Sequence, residues 1–404
     1  MTRTLTPAHA MVVFAAFAFA YFFSALIRSV TATLAPTLTQ AFQLSASDLG
    51  LLAGGYFLGF AATQLPLGAW LDRYGPRRVL ACFLCVAVAG CAAFALASQF
   101  SGLLLARILC GVGVSACLMA PLTGYRRWFT PGAQLRANSW MLMTGSLGML
   151  ASTLPVQWLL PSLGWRPLFA ILAAALVICN GLVVWLVPEW TSGDSVTAAA
   201  SAPGPRSSSL LASYAPVWRH PYFRRMAPIG FFCYGGLLAV QTLWAGPWML
   251  RVAGFTPDQS AQGLFVINLC MLCTFWTWGL VNPMLARHGW SAERLMAWGL
   301  PWSFVMLTIL IIANKEYPAL ATAGLTLYCM TCSFISLAQP AVGMAFDASL
   351  AGRALSAYNL VIFSGVFVVQ WGIGLLIDGF VGIGLSVPDA FRAAMGGLLL
   401  CSVA

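Results

Sequence analysis

Long stretches of the chain carry no charge, and they recur with short polar breaks between them. Each is close to the roughly 20 apolar residues that cross a hydrocarbon layer about 30 Å thick. The pattern predicts spans near Ala10–Leu34, Leu49–Leu71, Val79–Leu96, Leu103–Leu122, Asn138–Leu160 and Leu168–Val187. A second set follows at Ala227–Leu250, Gly263–Leu285, Leu295–Ala313, Ala319–Phe346, Leu355–Ile377 and Ala390–Ala404. Between the sets, Pro188 to Met226 holds Glu189, Asp194, the Ser/Ala/Pro/Gly stretch Ser192–Ser213 and then Arg219, His220, Arg224 and Arg225. That composition cannot bury enough apolar surface to fold alone and reads as a solvated linker. The expected layout is residues 1–187, a linker over 188–226, and residues 227–404. The last run gives a helix of only about 22 Å, so either the final helix is atypical or the chain is incomplete there.

Composition agrees with lipid as the solvent. The 404 residues are 60% hydrophobic and 7% charged, against about 25% charged in a soluble domain. Basic residues outnumber acidic ones 20 to 10. In a soluble protein that excess would suggest nucleic acid, but here 19 of the 20 are arginines scattered between apolar blocks, and no nucleic-acid partner is expected. Their placement instead sets orientation, because cytoplasmic loops collect positive charge. With the N-terminus inside, 14 basic residues fall on the inner side, among them Arg3, Arg73, Arg126, Arg136, Arg206, Arg287 and Arg294, and 4 on the outer: Arg166, Arg251, Lys315 and Arg392. Met1–Ala35 could alternatively be a cleaved signal peptide; an internal repeat argues against that.

The two sets echo each other in order. Tyr21 lies seven residues before Arg28, and Tyr234 seven before Gln241. Arg73-Tyr74-Gly75 is matched by Arg287-His288-Gly289, Arg136-Ala137-Asn138-Ser139 by Arg353-Ala354-Leu355-Ser356, and Val156-Gln157-Trp158 by Val369-Gln370-Trp371. Two like-oriented bundles of six helices are the physical reading. The fold class expected is therefore all-α integral membrane, with twelve transmembrane helices in two six-helix bundles.

The loop after the second span reads Gly68-Ala69-Trp70-Leu71-Asp72-Arg73-Tyr74-Gly75-Pro76-Arg77-Arg78, preceded by Gln64-Leu65-Pro66-Leu67. It resembles the signature loop of the major facilitator superfamily, and Leu103-Leu104-Leu105-Ala106-Arg107 with Gly111 and Gly113 resembles that family's fourth-helix motif. With the layout, the resemblance covers the chain apart from its short end. It implies a secondary transporter working by alternating access. It also implies that Asp72 latches the N-terminal bundle to the start of helix eleven, here near Gly352 and Arg353. Asp72, Arg73, Gly75, Arg77, Arg78 and Arg353 are the expected gating set. The other reading of the same loop is a topogenic cluster without a gating role. The second copy, Gly279–Arg294, lacks the Asp.

An ionisable group inside a span is costly and marks function. All ten acids and three histidines fall at span ends or in loops, which leaves Arg28 and Arg107 as the intramembrane charges. A buried cation needs a partner, and with none offered by the protein an anionic substrate is the natural one. Arg28 is the candidate clamp, its planar fork able to take a carboxylate or phosphate in bidentate fashion. The alternative is that it snorkels outward to headgroups, since Ser29, Thr31, Thr33 and Pro36 hint at the span's end. Arg107 has a structural or proton-relay role by the resemblance. Tyr21, Gln241, Trp244, Asn268 and Gln370 complete the expected substrate set, although mid-span amides such as Gln64, Asn268, Asn359 and Gln370 serve equally as interhelical hydrogen bonds. Trp244 and Trp248 flank Gly246-Pro247, where a broken helix would gate the outer side, or they are interfacial belt aromatics.

The three C-x-x-C pairs (Cys82/Cys85, Cys270/Cys273, Cys329/Cys332) lie within apolar spans without neighbouring His and read as packing residues, not a metal site. There is no P-loop, so ATP does not drive the protein directly, and neither an enzyme activity nor a cofactor is expected. Without a carboxylate or His in the cavity, anion exchange, uniport or a substrate-borne proton is favoured over proton symport. The expectation is a carrier of a small, anionic organic solute in a bacterial inner membrane, acting as a monomer with substrate and lipid as its partners. A polyspecific drug or metabolite exporter of the same superfamily and a non-transporting membrane sensor are the competing readings.

Overall fold

The computed structural model describes residues 5–189, 210–312 and 318–404, and among these every regular element is helical. The first half contains α1 (Pro7–Phe42), α2 (Ala46–Ala62), α3 (Gln64–Leu96), α4 (Phe100–Val114), α5 (Ala116–Trp128), α6 (Pro131–Ala151), α7 (Leu154–Leu163) and α8 (Trp165–Leu186). A short helix, α9 (Leu210–Arg219), leads into the second half. There follow α10 (Pro221–Arg251), α11 (Pro257–Arg287), α12 (Ala292–Ile312), α13 (Leu320–Met344), α14 (Ala348–Gly382) and α15 (Val387–Val403). Nine described helices are long and apolar enough to cross a membrane, with α4 and α5 counted as one. The remaining expected spans coincide with α2 and the start of α3, with α6 and α7, and with α15, each interrupted or short, so the layout is consistent with twelve. The chain from Leu210 onward is helical where the composition suggested a solvated linker, because Tyr214 and Val217 bury against the helices. Residues 190–209, with Asp194 and Arg206, lie outside the described residues, as do Arg3, Lys315 and Glu316.

The breaks have local causes. Gly75 sits at φ +76° and ψ 163°, a region nearly confined to glycine that costs other residues about 1–3 kcal/mol, and turns the chain inside α3 between Asp72 and Pro76. Its repeat partner Gly289 has φ +79°, so the echo seen in sequence is also an echo of backbone. The fifth span breaks at Ser152 and Thr153. A carbonyl freed there must be satisfied within the protein, and the Thr33 hydroxyl of α1 donates to Ser152 O at 2.7 Å. In α10 two turns widen into π-helix, Gly230–Tyr234 and Val240–Trp244. Such bulges often mark functional sites, and these two hold Tyr234, Gln241 and Trp244.

Within the first half α3 packs on α4 and α8, and α1 on α6; within the second, α12 packs on α13, and α14 on α15. The two halves meet chiefly where α2 lies along α14 and where α1 meets α10. One end of the helices collects Arg73, Arg77, Arg78, Arg126, Arg219, Arg224, Arg225, Arg287, Arg294 and Arg353; this is called the arginine-rich face below.

Candidate functional site

Helical spacing puts Tyr21, Ser24 and Arg28 on one side of α1, at positions i, i+3 and i+7. Arg28 stands fourteen residues before the helix ends at Phe42, with Ser29 to Ala35 all buried. The Tyr21 and Tyr56 hydroxyls lie beside the guanidinium, and Tyr234 of α10 faces both Arg28 and Tyr21. Its Nε is buried without a hydrogen-bond partner, and no ion pair to it occurs among the described residues. Phenol oxygens can accept from a guanidinium but cannot neutralise it.

Arg107 of α4 is fully buried, and its Nε and Nη2, like Arg28 Nε, have no hydrogen-bond partner. Its Nη1 donates to Ile27 O at 2.9 Å, and its guanidinium lies 5.1 Å from the centre of the Tyr56 ring. Tyr56, itself 0% exposed, thus stands between two cations: its face under Arg107, its hydroxyl beside Arg28 and 3.4 Å from Ser24 O. Neither Tyr56 nor Tyr234 stood in the expected substrate set. The repeat could have supplied Tyr234, the counterpart of Tyr21; nothing in the sequence of α2 singles out Tyr56.

The amides expected around the substrate pair with the protein. Gln241 Nε2 donates to Asn268 Oδ1 at 3.1 Å, and Asn268 Nδ2 to Leu264 O at 2.8 Å. Gln370 Nε2 donates to Thr242 Oγ1 at 3.0 Å, while its carbonyl accepts from Trp244 Nε1 at 3.0 Å. The side-chain Oε1 of Gln370 remains buried and unpartnered. Trp244 and Trp248 are 0% and 1% exposed, so neither is a belt aromatic facing lipid; Trp244 packs edge-on against Phe391. Gln64 donates to Phe60 O at the α2–α3 break, and Asn359 accepts from Gln339.

At the arginine-rich face the expected gating residues separate. The charge acting on Asp72 is that of Arg126. Arg77 pairs with Glu189 at 3.2 Å, Arg73 covers the Tyr74 ring at 5.2 Å, and Arg78 is exposed. Arg353 donates to Ser213 O of α9 at 3.3 Å. Next to it the Tyr214 hydroxyl donates to Leu65 O in the first half at 3.0 Å. Burial raises the Tyr214 pKa, opposed by Ser356 and Arg353, so the phenol stays protonated and keeps that bond at neutral pH. In this conformation α9 bridges the halves at that face, and Asp72 does not meet Arg353.

The family model described as "Major Facilitator Superfamily" matches residues 17–370. The chain belongs to the major facilitator superfamily. It is accordingly a multi-pass membrane protein. Among relatives in that superfamily, the probable sulfoacetate transporter SauU of Cupriavidus necator is 25% identical over 248 residues, 60% of this chain and 57% of that one. The hexuronate transporter of Escherichia coli is 26% identical over 162 residues, 40% and 37% respectively. The chain thus spans between about a third and somewhat over half the length of these two. The inner membrane transport protein YajR of Escherichia coli matches more fully, 25% over 354 residues, 86% of this chain and 73% of that one. Among solved structures, a bacterial homolog of the human lysosomal transporter Spinster, inward-facing and unoccupied, superposes with TM-score 0.78 at 15% identity over 99% of this chain and 96% of that one. A D-xylose–proton symporter gives 0.72 at 14% over 97% and 96%. At these identities the likeness shows the superfamily fold.

Proposed function

We propose that this protein carries a small organic anion across a bacterial inner membrane by alternating access, with Arg28 as the anchor for the anionic group. The observation that carries the reading is the Arg28 guanidinium: partly buried in α1 with its Nε shut off from solvent, beside Tyr21, Tyr56 and Tyr234, and without a carboxylate within ion-pair distance among the described residues. A desolvated cation is costly without a counter-charge, and a bound carboxylate, sulfonate or phosphate supplies one through two parallel N–H···O bonds. The named substrates of two relatives, sulfoacetate and hexuronate, are organic anions, which supports the class but not the compound.

The remaining roles are assigned as part of the same proposal. Tyr21, Tyr56 and Tyr234 orient Arg28 and offer hydroxyls to the rest of the solute. Gln241 with Asn268, and Gln370 with Trp244, brace the second half and line its side of the path. Arg107 is structural. Each described acid lies at a helix end, as with Asp258 on Gln157 and Glu293 on Tyr222, so no carboxylate is placed to carry a proton beside the substrate. This favours exchange, uniport or a proton brought by the substrate. The positive-inside bias puts the arginine-rich face and the N-terminus in the cytoplasm, and the carrier acts as a monomer.

The test is uptake into proteoliposomes with a panel of labelled carboxylates, sulfonates, phosphates and amino acids, comparing wild type with Arg28→Ala and Arg28→Lys. Transport of an anion that both variants abolish or sharply weaken is expected. Normal transport of the identified solute by both would overturn the assignment and leave the polyspecific exporter as the better reading.

A further inference from the structure

At the face opposite the arginine-rich one, the Asp378 carboxylate near the end of α14 reaches across to the other half. Its Oδ1 accepts from Ala46 N–H at 3.1 Å and its Oδ2 from Ser47 N–H at 2.7 Å. These amides belong to the first turn of α2, among the donors that a helix leaves without internal partners, and the positive end of the helix dipole lies behind them. The same turn is closed from within by Ser45 and Asp48, whose side chains and amides bond reciprocally at 3.1 Å. The carboxylate reaches the amides because the two helices nearly touch there. A Cβ on Gly50 would stand 2.5 Å from Gln370 O, and one on Gly374 would stand 2.8 Å from Ser47 Cα.

The repeat places a second contact of the same kind on the other seam. Gln157 of α7, the counterpart of Gln370, donates from Nε2 to Oδ1 of Asp258 at 2.9 Å. Asp258 sits in the first turn of α11, which is the counterpart of α2 and is likewise closed by a reciprocal cap, Thr256 with Gln259. Each half therefore sends a side chain from its fifth span to the first turn of the other half's second span. One contact is a carboxylate on backbone amides, the other an amide on a carboxylate.

We propose that Asp378 is a clasp that sets how long this face stays closed, acting together with Gln157 and Asp258 on the symmetry-related seam. The clasp holds the halves together without a salt bridge. Its grip comes from the Asp378 carboxylate on two first-turn amides of α2 at the positive end of that helix, a contact that is exchanged for water when α14 withdraws. The proposal does not depend on Arg28 or on the nature of the solute.

Hydrogen–deuterium exchange of the full-length carrier in nanodiscs, read by peptide mass spectrometry, tests it. Asp378→Asn keeps the shape but loses the charge and one acceptor. Exchange should rise about tenfold or more in the first turn of α2, and together with it in the first turn of α11 and the last turns of α10, since opening the face exposes both seams. Peptides of α4 and α8 should stay unchanged. A rise confined to the first turn of α2 would show a local cap and no clasp, and an unchanged pattern would also overturn the proposal. Should Asp378→Asn fail to fold, Gln157→Leu at the more exposed contact must raise exchange at both α11 and α2; a change at α11 alone refutes the coupling.

Discussion

Replacing Arg28 by alanine should separate binding from folding. A carboxylate held by the guanidinium fork makes two charge-assisted hydrogen bonds worth about 1.5 kcal/mol each at the low end of their range, fitting a cavity that water can enter. Losing both costs about 3 kcal/mol, or about 150-fold in affinity. Arg28→Lys keeps the charge and loses the planar fork, for which about tenfold is expected. The empty carrier responds differently. Arg28 Nε is buried without a partner, so truncation removes a desolvation cost along with the packing of the aliphatic stem. The thermal midpoint of Arg28→Ala in detergent should lie within about 3 °C of wild type. A cation paired to a structural acid behaves in the opposite way, because its removal strands the partner at about 3–5 kcal/mol. The assay is concentration-dependent uptake of the solute identified in proteoliposomes, together with thermal unfolding with and without that solute. Wild type should gain stability on adding the anion and Arg28→Ala should not. An unchanged KM, or an empty variant that unfolds many degrees early, would refute the reasoning.

Tyr56→Phe keeps the ring under Arg107 and removes the hydroxyl beside Arg28, so KM for the anion should rise about fivefold, the worth of one modest hydrogen bond, with the maximal rate retained; a fall in rate at constant KM would assign Tyr56 to the motion instead. Gln241→Ala and Asn268→Ala should show a coupling of about 0.6 to 1.7 kcal/mol in a double-mutant stability cycle, the range for hydrogen bonds between membrane helices, and additivity would mean the 3.1 Å contact is not energetically made. Thr33→Val should lower stability by about 1 kcal/mol by stranding Ser152 O, leaving the substrate preference as in wild type; a change of preference would place this break in the binding site.

Span positions were legible because bilayer crossing depends on summed apolarity, which a sequence displays directly. Where a span breaks was not legible, since the cost of a break is set by a partner on another helix: the Ser152 carbonyl is tolerable only because Thr33 lies opposite it. Gln241, Asn268 and Gln370 were visible as polar groups in apolar runs, yet ligand and interhelical bond remained open until geometry paired them. Trp244 and Trp248 could have been belt residues, because a tryptophan suits both an interface and a core; their burial removes that reading. Arg28 was legible as a charge without a nearby acid in sequence, and among the described residues its neighbours are the phenols of Tyr21, Tyr56 and Tyr234. Tyr56 was not, as a single aromatic in a glycine-rich helix carries no mark of which neighbour it faces.

The two ends of α14 suggest how the halves move. Its start carries Arg353, which holds α9 and stands apart from Asp72; its far end carries Asp378, engaged with the first turn of α2. In one and the same conformation the contact at the opposite face is made and the one expected at the arginine-rich face is not. Alternating access requires that closure at one end be released as the other forms, and a single rigid helix of 35 residues packed along α2 can exchange the two by tilting. If so, weakening Asp378 and weakening Asp72 should shift the carrier in opposite directions. Exchange at the first turn of α2 should rise in Asp378→Asn and fall in Asp72→Asn; a shift of the same sign in both would show that the two ends are not coupled through α14.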